Sequence, residues 1–241
     1  MKIAVQLYSV RDCINGNGED MLRVLGELKE MGYEGVEFAG YAGLEPQALK
    51  ARLDELGLVA VGTHIGCDNY LPENIEKTIA VAKALDMKYM GVGGAPIATI
   101  EEVMQSASKM AYGAARAAKE GITVYYHNHT HEFEDMAGIQ PYEIFKKACA
   151  MEVDTYWSYC AGVDNYKFIM ENKDDICLLH VKDGIDRHPM ALGEGDCDIA
   201  AVVKAAEDAG IEWLIVENDD PKPNGLDDVK RSINYLKKLI D

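Results

Sequence analysis

One unit recurs along this chain. A helical stretch closes on a glycine and an apolar turn, then passes at once into a short β-branched or aromatic run, as in LKEMGYEGVEF, LDELGLVAVGT, AAKEGITVYYH and AEDAGIEWLIVE. Gly32, Gly57, Gly121 and Gly210 fit the left-handed position that ends a helix, where a Cβ would clash. Asp86 in KALDMKYMGV takes the same place less comfortably. The strand-like runs are KIAVQLYSV, GVEFAG, VAVGTHI, YMGVGG, TVYYHNH, DTYWSY, CLLHVKD and WLIVEN, with helical patterns between them. Strict strand–helix alternation calls for parallel pairing and right-handed crossovers. Eight such units in 241 residues predict an α/β fold, a (β/α)8 TIM barrel occupying residues 1–241 as a single domain.

Composition narrows the function classes. The net charge of -17, from 41 acidic against 24 basic residues, repels phosphate polymers, and no Lys/Arg-rich stripe interrupts it, so no nucleic acid partner is expected. The opening MKIAVQLYSVRD meets Arg11 and Asp12 too soon for a signal peptide or a membrane span, and it reads as a first strand. Cys13, Cys67, Cys149, Cys160, Cys177 and Cys197 are scattered without paired C-x-x-C spacing, which fits reduced thiols in a cytoplasmic protein. The helices carry packing stripes such as Met21, Leu22, Leu25 and Leu28, or Ile233, Leu236 and Leu239. Barrels often associate through such helix faces, so a homo-oligomer is compatible with the sequence. GGAPIATIEE and ENDDPKPNGLDD are long enough to be working loops, and both follow a strand, on the face where a barrel keeps its active site.

The last four strand-like runs each carry a His or carboxylate: His127 and His129 in VYYHNHT, Asp154 in VDTYW, His180 in CLLHVKD and Glu217 in WLIVEND. In a barrel the C-terminal ends of all strands open on one rim, and alternate residues face inward, so these groups can converge. A lone histidine in an apolar strand is usually a hydrogen-bonded core residue, and an aspartate there can simply cap or bridge. Convergence from four consecutive strands is what favours a shared cation, since any one of these groups buried alone and charged would cost several kcal/mol, roughly. His64, ending the third run, and Glu37, in the second, are further candidates to line the pocket. Trp157, core by default, is placed to offer a ring face to a sugar. His131 and His188 read as surface residues.

The stretches YYHNHTHEFE, EVDTYWSYCAG, LLHVKDG, LGEGDCDI and IVENDDP, in that order, resemble the sugar phosphate isomerase/epimerase family with the xylose-isomerase-like barrel, within the AP endonuclease family 2 superfamily. The likeness extends to the branch containing inositol-catabolism dehydratases and 3-keto-sugar enzymes. It is specific from about residue 120 onward and generic before it, where QLYSVRD, GYEGVEFAG and VGTHIG still fit. The resemblance implies a divalent ion, manganese or similar, held by a Glu ending the fifth strand, an Asp on the sixth, a His on the seventh and a Glu on the eighth. Asp154, His180 and Glu217 match the last three. Where relatives read E-N-H this chain reads His127-Asn128-His129, so His127 stands in the first ligand's place, with His129 and Glu132 as alternatives. An imidazole there favours Mn2+, Co2+ or Zn2+ over magnesium.

Such a site acidifies the α C–H of a chelated keto-sugar and stabilises the enediolate formed when the proton leaves. Return of the proton epimerises or isomerises; loss of a β-hydroxyl eliminates water. The resemblance implies that the first and last ligands flank the substrate as acid–base groups, which gives Glu217 one role and His127 or Glu132 the other. Lys182 is a candidate for steering an oxyanion and Arg187 for reaching a hydroxyl or phosphate. The leading expectation is a metal-dependent isomerase or epimerase acting on a small carbohydrate. The alternatives are a lyase of the keto-inositol or 3-keto-sugar type and a non-catalytic carbohydrate-binding barrel. Abasic-site endonucleases share the barrel but need a multi-metal cluster and a basic face, and the sequence shows neither.

Overall fold

The computed structural model describes residues 1–136 and 138–240. Parallel strands β1 (Lys2–Gln6), β2 (Gly35–Phe38), β3 (Val59–Thr63), β4 (Tyr89–Val92), β5 (Thr123–His127), β6 (Ala150–Asp154) and β7 (Ile176–Val181) are followed by a small antiparallel hairpin, β8 (Asp183–Ile185) and β9 (His188–Met190), and the last barrel strand, β10 (Trp213–Val216). The sheet order β3-β2-β1-β10-β7-β6-β5-β4 bends round until its two edges meet at one bridge, His64 to Gly91, where the Ile65 N–H donates to the Gly91 carbonyl at 3.0 Å. The result is a nearly closed TIM barrel. No described helix is long and apolar enough to cross a membrane.

The helix ends behave as the repeated unit requires. Gly32, Gly57, Gly121 and Gly210 have φ of 98°, 62°, 74° and 74°, and Asp86 adopts the same conformation at 55°. The sixth strand is the exception to the expected set. DTYWSY does not form it: β6 is AMEVD, and residues Thr155–Cys160 are helical. The aromatic content of YWSY mimics a strand, but Asp154 accepts from the Tyr156 and Trp157 N–H groups and starts a helix instead. Asp154 therefore ends its strand rather than opening it, which puts it on the active rim.

Two apolar regions build the fold. The larger lies between the sheet and its surrounding helices. The smaller, inside the barrel, consists of Ala4, Val61, Tyr125, Leu178, Trp213 and Ile215. Two residues further along the same strands the interior becomes polar, with buried Gln6, Thr63, His127, His180 and Glu217, joined by Glu37 from β2 and Glu152 and Asp154 from β6. Period-two alternation thus converts an apolar plug into a polar floor within one step. The register of β2 against β3 shifts between Val36 and Glu37, and that of β6 against β7 between Met151 and Glu152.

Candidate active site and metal centre

The lower tier of the polar interior joins two glutamates to three histidines. Glu37 Oε2 accepts from Gln6 Nε2 at 2.7 Å and lies 2.6 Å from His180 Nε2, while its Oε1 accepts the Tyr125 hydroxyl. Glu152 Oε2 lies 2.7 Å from His64 Nε2, 3.2 Å from His127 Nδ1 and 3.1 Å from His180 Nε2. Its Oε1 has no hydrogen-bond partner. Burial opposes charge on Glu152, but His180 and His64 beside it outweigh that and hold its carboxyl well below the usual range. For Glu37, burial and the neighbouring Glu152 charge prevail over the histidines and push it up.

The upper tier faces a cavity of about 440 Å³ lined by residues that include Tyr8, His64, His127, His129, Trp157, Glu217 and Asp219. His127 Nε2 stands 3.8 Å from Asp154 Oδ2 and 4.0 Å from Glu217 Oε2, and His180 Nδ1 is 2.9 Å from Glu217 Oε2. Asp154 uses Oδ1 to cap the helix at Thr155, and its Oδ2 is buried with no hydrogen-bond partner. The nearest cation is Lys182, fully buried, whose Nζ is 3.4 Å from Asp154 Oδ2, 3.1 Å from Glu217 Oε2, and bonded to Asp219. Burial works against that ammonium, but the three carboxylates keep it protonated and raise its pKa. Desolvation lifts Asp154 to about 6 despite Lys182, whereas Lys182 and then His180 overcome burial at Glu217 and hold it well below the usual range. Burial, reinforced by His180, pushes His127 well down, so it stands as a neutral imidazole.

One donor atom from each of His127, Asp154, His180 and Glu217 lies within 4.8 Å of the others. Two imidazoles and two carboxylates suit a divalent ion of the manganese, cobalt or zinc type. The unpartnered Asp154 Oδ2 is the atom such an ion would satisfy. His64, His127, Glu152 and His180 form a second quartet of the same compactness one tier below.

The four residues expected from the strand ends thus do meet, and His64 and Trp157 line the cavity. Other expectations need correction. Glu37 lies beneath the cavity floor, bonded to Gln6 and His180, because strand alternation turns it into the barrel level with Gln6. Lys182 is turned toward Asp154, Glu217 and Asp219 and is not part of the cavity lining; nor does it pair with Asp183, whose carboxylate accepts from the Gly184, Gly193, Gly195 and Cys197 N–H groups. Glu132 is buried but folded back, accepting from the Tyr126 hydroxyl at 2.8 Å and the His129 N–H at 2.7 Å. Arg187 sits at the exposed tip of the β8–β9 hairpin, away from the cavity lining. Sequence reasoning missed Glu152 and Asp219. The first shares the inward phase of Asp154, two residues earlier, and the second lies in the ENDDP loop already marked as a working loop.

Comparison with known proteins agrees with this architecture. A family model described as xylose isomerase-like TIM barrel matches residues 25–239. A sugar phosphate isomerase/epimerase from Parabacteroides distasonis superimposes with a TM-score of 0.84 at 24% identity, over 98% of both chains. L-ribulose 3-epimerase gives 0.77 at 16% identity, covering 100% of this chain and 95% of that one. A probable 3-DHS dehydratase involved in petrobactin synthesis from Bacillus anthracis gives 0.77 at 14% identity, over 98% and 99%. No curated protein matches the sequence. At these identities the structural likenesses establish the fold alone, but the model match spans most of the chain: this protein belongs to the xylose isomerase-like TIM barrel family.

Proposed function

We propose that this protein is a divalent-metal-dependent isomerase or epimerase of a small keto-sugar, free or phosphorylated, working through an enediolate. The observation that carries the reading is the convergence of His127, Asp154, His180 and Glu217 beside a cavity of about 440 Å³, with one Asp154 oxygen left without a hydrogen bond among the described residues. Known family neighbours include sugar isomerases and epimerases, which supports this chemistry. The ion, most suitably Mn2+, would be held by those four side chains and would supply the positive charge that acidifies the α C–H and stabilises the enediolate.

The protein's own groups do the rest. Glu217, kept ionised against burial chiefly by Lys182, takes the α proton at the cavity wall. Lys182 acts on the carboxylates rather than on the substrate, which preserves Glu217 as a base. The second acid–base position falls to His129, which lines the cavity and is held neutral chiefly by burial; Glu132 is committed to Tyr126 and to the His129 backbone. Trp157 offers an apolar surface to the sugar. The strongly negative chain fits a small carbohydrate rather than a nucleic acid, and free cysteines fit the cytoplasm.

A lyase is the second reading. The withdrawal of Glu132 favours it, because elimination needs one base and a departing β-hydroxyl rather than two flanking carboxylates. The test is ion uptake followed by keto-sugar screening in D2O. About one manganese per chain, with deuterium entering the α carbon of a recovered sugar, supports the isomerase or epimerase. Uptake of manganese with loss of water supports the lyase. Absence of bound manganese at saturating concentrations overturns both and leaves a carbohydrate-binding barrel.

A further inference from the structure

The tier beneath the ligand quartet is unused by that chemistry, and its construction is specific. Glu37 and Glu152 are both fully buried, and among the described residues neither is paired with a Lys or Arg. Each points inward by the plain alternation of its strand, Glu37 level with the inward Gln6 and Glu152 two residues before Asp154. The two strands, β2 and β6, lie four places apart in the ring of eight, hence on opposite sides of the barrel. From those opposite sides the two side chains converge on two rings: Glu37 and Glu152 meet His180 Nε2, and Glu152 also meets His127 Nδ1.

We infer that Glu37 and Glu152 are positioning residues that hold His180 and His127 from below, so that His180 presents Nδ1 and His127 presents Nε2 to the ion. This rests on the proposed ion site of the upper tier. A neutral imidazole has one N–H and one lone pair. An ionised carboxylate can only accept, so the nitrogen facing it carries the hydrogen and the lone pair is directed to the opposite side. That opposite side is where Asp154 and Glu217 stand. Each glutamate is itself held: Glu37 by Gln6 and Tyr125, and Glu152 by His64. The room for Tyr125 comes from Gly91, where a Cβ would approach the ring to 2.2 Å.

The lower quartet competes for the same rings. His127 and His180 belong to both quartets, and a neutral ring has one lone pair to give, so an ion in one tier excludes an ion in the other. Two members of each quartet line the cavity, His127 with Glu217 above and His127 with His64 below, but only the upper quartet brings a carboxylate to the cavity, so a base beside the substrate comes with the upper tier.

The experiment measures manganese affinity, by the free-ion EPR signal, for wild type, Glu152→Gln, Glu37→Gln and Asp154→Ala, with thermal unfolding of each. In parallel, histidine nitrogen shifts are recorded on the zinc-loaded wild type. Both glutamine variants are expected to bind manganese about 10–100-fold more weakly. Asp154→Ala should lose binding, and zinc should sit on Nε2 of His127 and Nδ1 of His180. Unchanged affinity in both glutamine variants, or zinc on the opposite nitrogens, overturns the inference. So does binding that survives Asp154→Ala and disappears in Glu152→Gln, which would place the ion below. The nitrogen assignment uses the wild type, so it decides even if a variant fails to fold. A wild type that binds neither ion instead removes the proposed function on which the inference stands.

Discussion

Asp154 and Glu152 stand two residues apart on β6, both fully buried carboxylates facing the barrel interior, yet their surroundings differ in kind. Glu152 spends one oxygen on three ring nitrogens and has no fixed cation beside it. Among the described residues each leaves its other oxygen without a hydrogen bond, but Asp154 spends its bonded oxygen on a helix start and turns the open one toward the Lys182 ammonium. His180 and Lys182 repeat the contrast two residues apart on β7 and just beyond it, the imidazole spanning both tiers and the ammonium serving the upper one alone. A carboxylate engaged by N–H donors fixes the rings around it. One whose open oxygen already faces an ammonium stands where a cation is favoured. The spacing of two residues along a strand is enough to separate these roles, because it moves a side chain one layer along the barrel without changing the face it points to.

The largest effect should come from removing the upper tier's own cation. Lys182→Met leaves Asp154, Glu217 and Asp219 facing one another without their ammonium. Breaking a buried charge pair in this way costs about 3–5 kcal/mol. Urea unfolding in EDTA should show a loss of that order, and saturating manganese should restore most of it, because a bound ion supplies positive charge to the same carboxylates. A variant as stable as wild type in EDTA would mean that the two tiers do not differ as described.

The lower tier should answer differently. Tyr125→Phe removes the hydroxyl that Glu37 Oε1 accepts, leaving that oxygen in a fully buried position. A hydrogen bond to a charged group contributes about 1.5–3 kcal/mol. The loss should be similar with and without manganese, since Tyr125 acts on Glu37 and not on the ion. Strong rescue by manganese would blur the distinction between tiers.

This contrast also explains what could be read from the sequence. The barrel was legible because the helical segments before β2, β3, β5 and β10 repeat one helix stop and strand start, with Gly32, Gly57, Gly121 and Gly210 all in the left-handed conformation that pattern demands. The upper quartet was legible because each of the last four strand-like runs carries one member, although Asp154 opens its run in that reading and ends its strand in the fold. The lower tier was not, for two local reasons. Reading DTYWSY as the sixth strand left Glu152 outside any strand, since aromatic content concealed the N-cap at Asp154. Glu37 stands in GVEFAG, but its place under His180 depends on how β2 is set beside β1 and across the barrel from β7, which β2 alone does not encode. Glu132 and Arg187 were legible only as residue types near the right segment, and the backbone turned both away from the cavity.

Glu132 allows the smallest and most selective test, because it is a buried carboxylate belonging to neither tier. Its two oxygens accept from the Tyr126 hydroxyl and the His129 N–H. A glutamine can keep an oxygen toward the His129 N–H and turn its amide toward the tyrosine, whose hydroxyl accepts as readily as it donates. Glu132→Gln should therefore cost about 1 kcal/mol of stability and leave turnover of the identified substrate nearly unchanged. Glu217→Gln should retain much of the metal, because the amide keeps a ligand oxygen, but it cannot take a proton and should lose about 10²–10⁴-fold in kcat. Measured side by side, the pair separates a carboxylate that shapes the loop after β5 from one that moves a proton. Comparable losses in both variants would return Glu132 to the reaction, and with it a two-carboxylate mechanism.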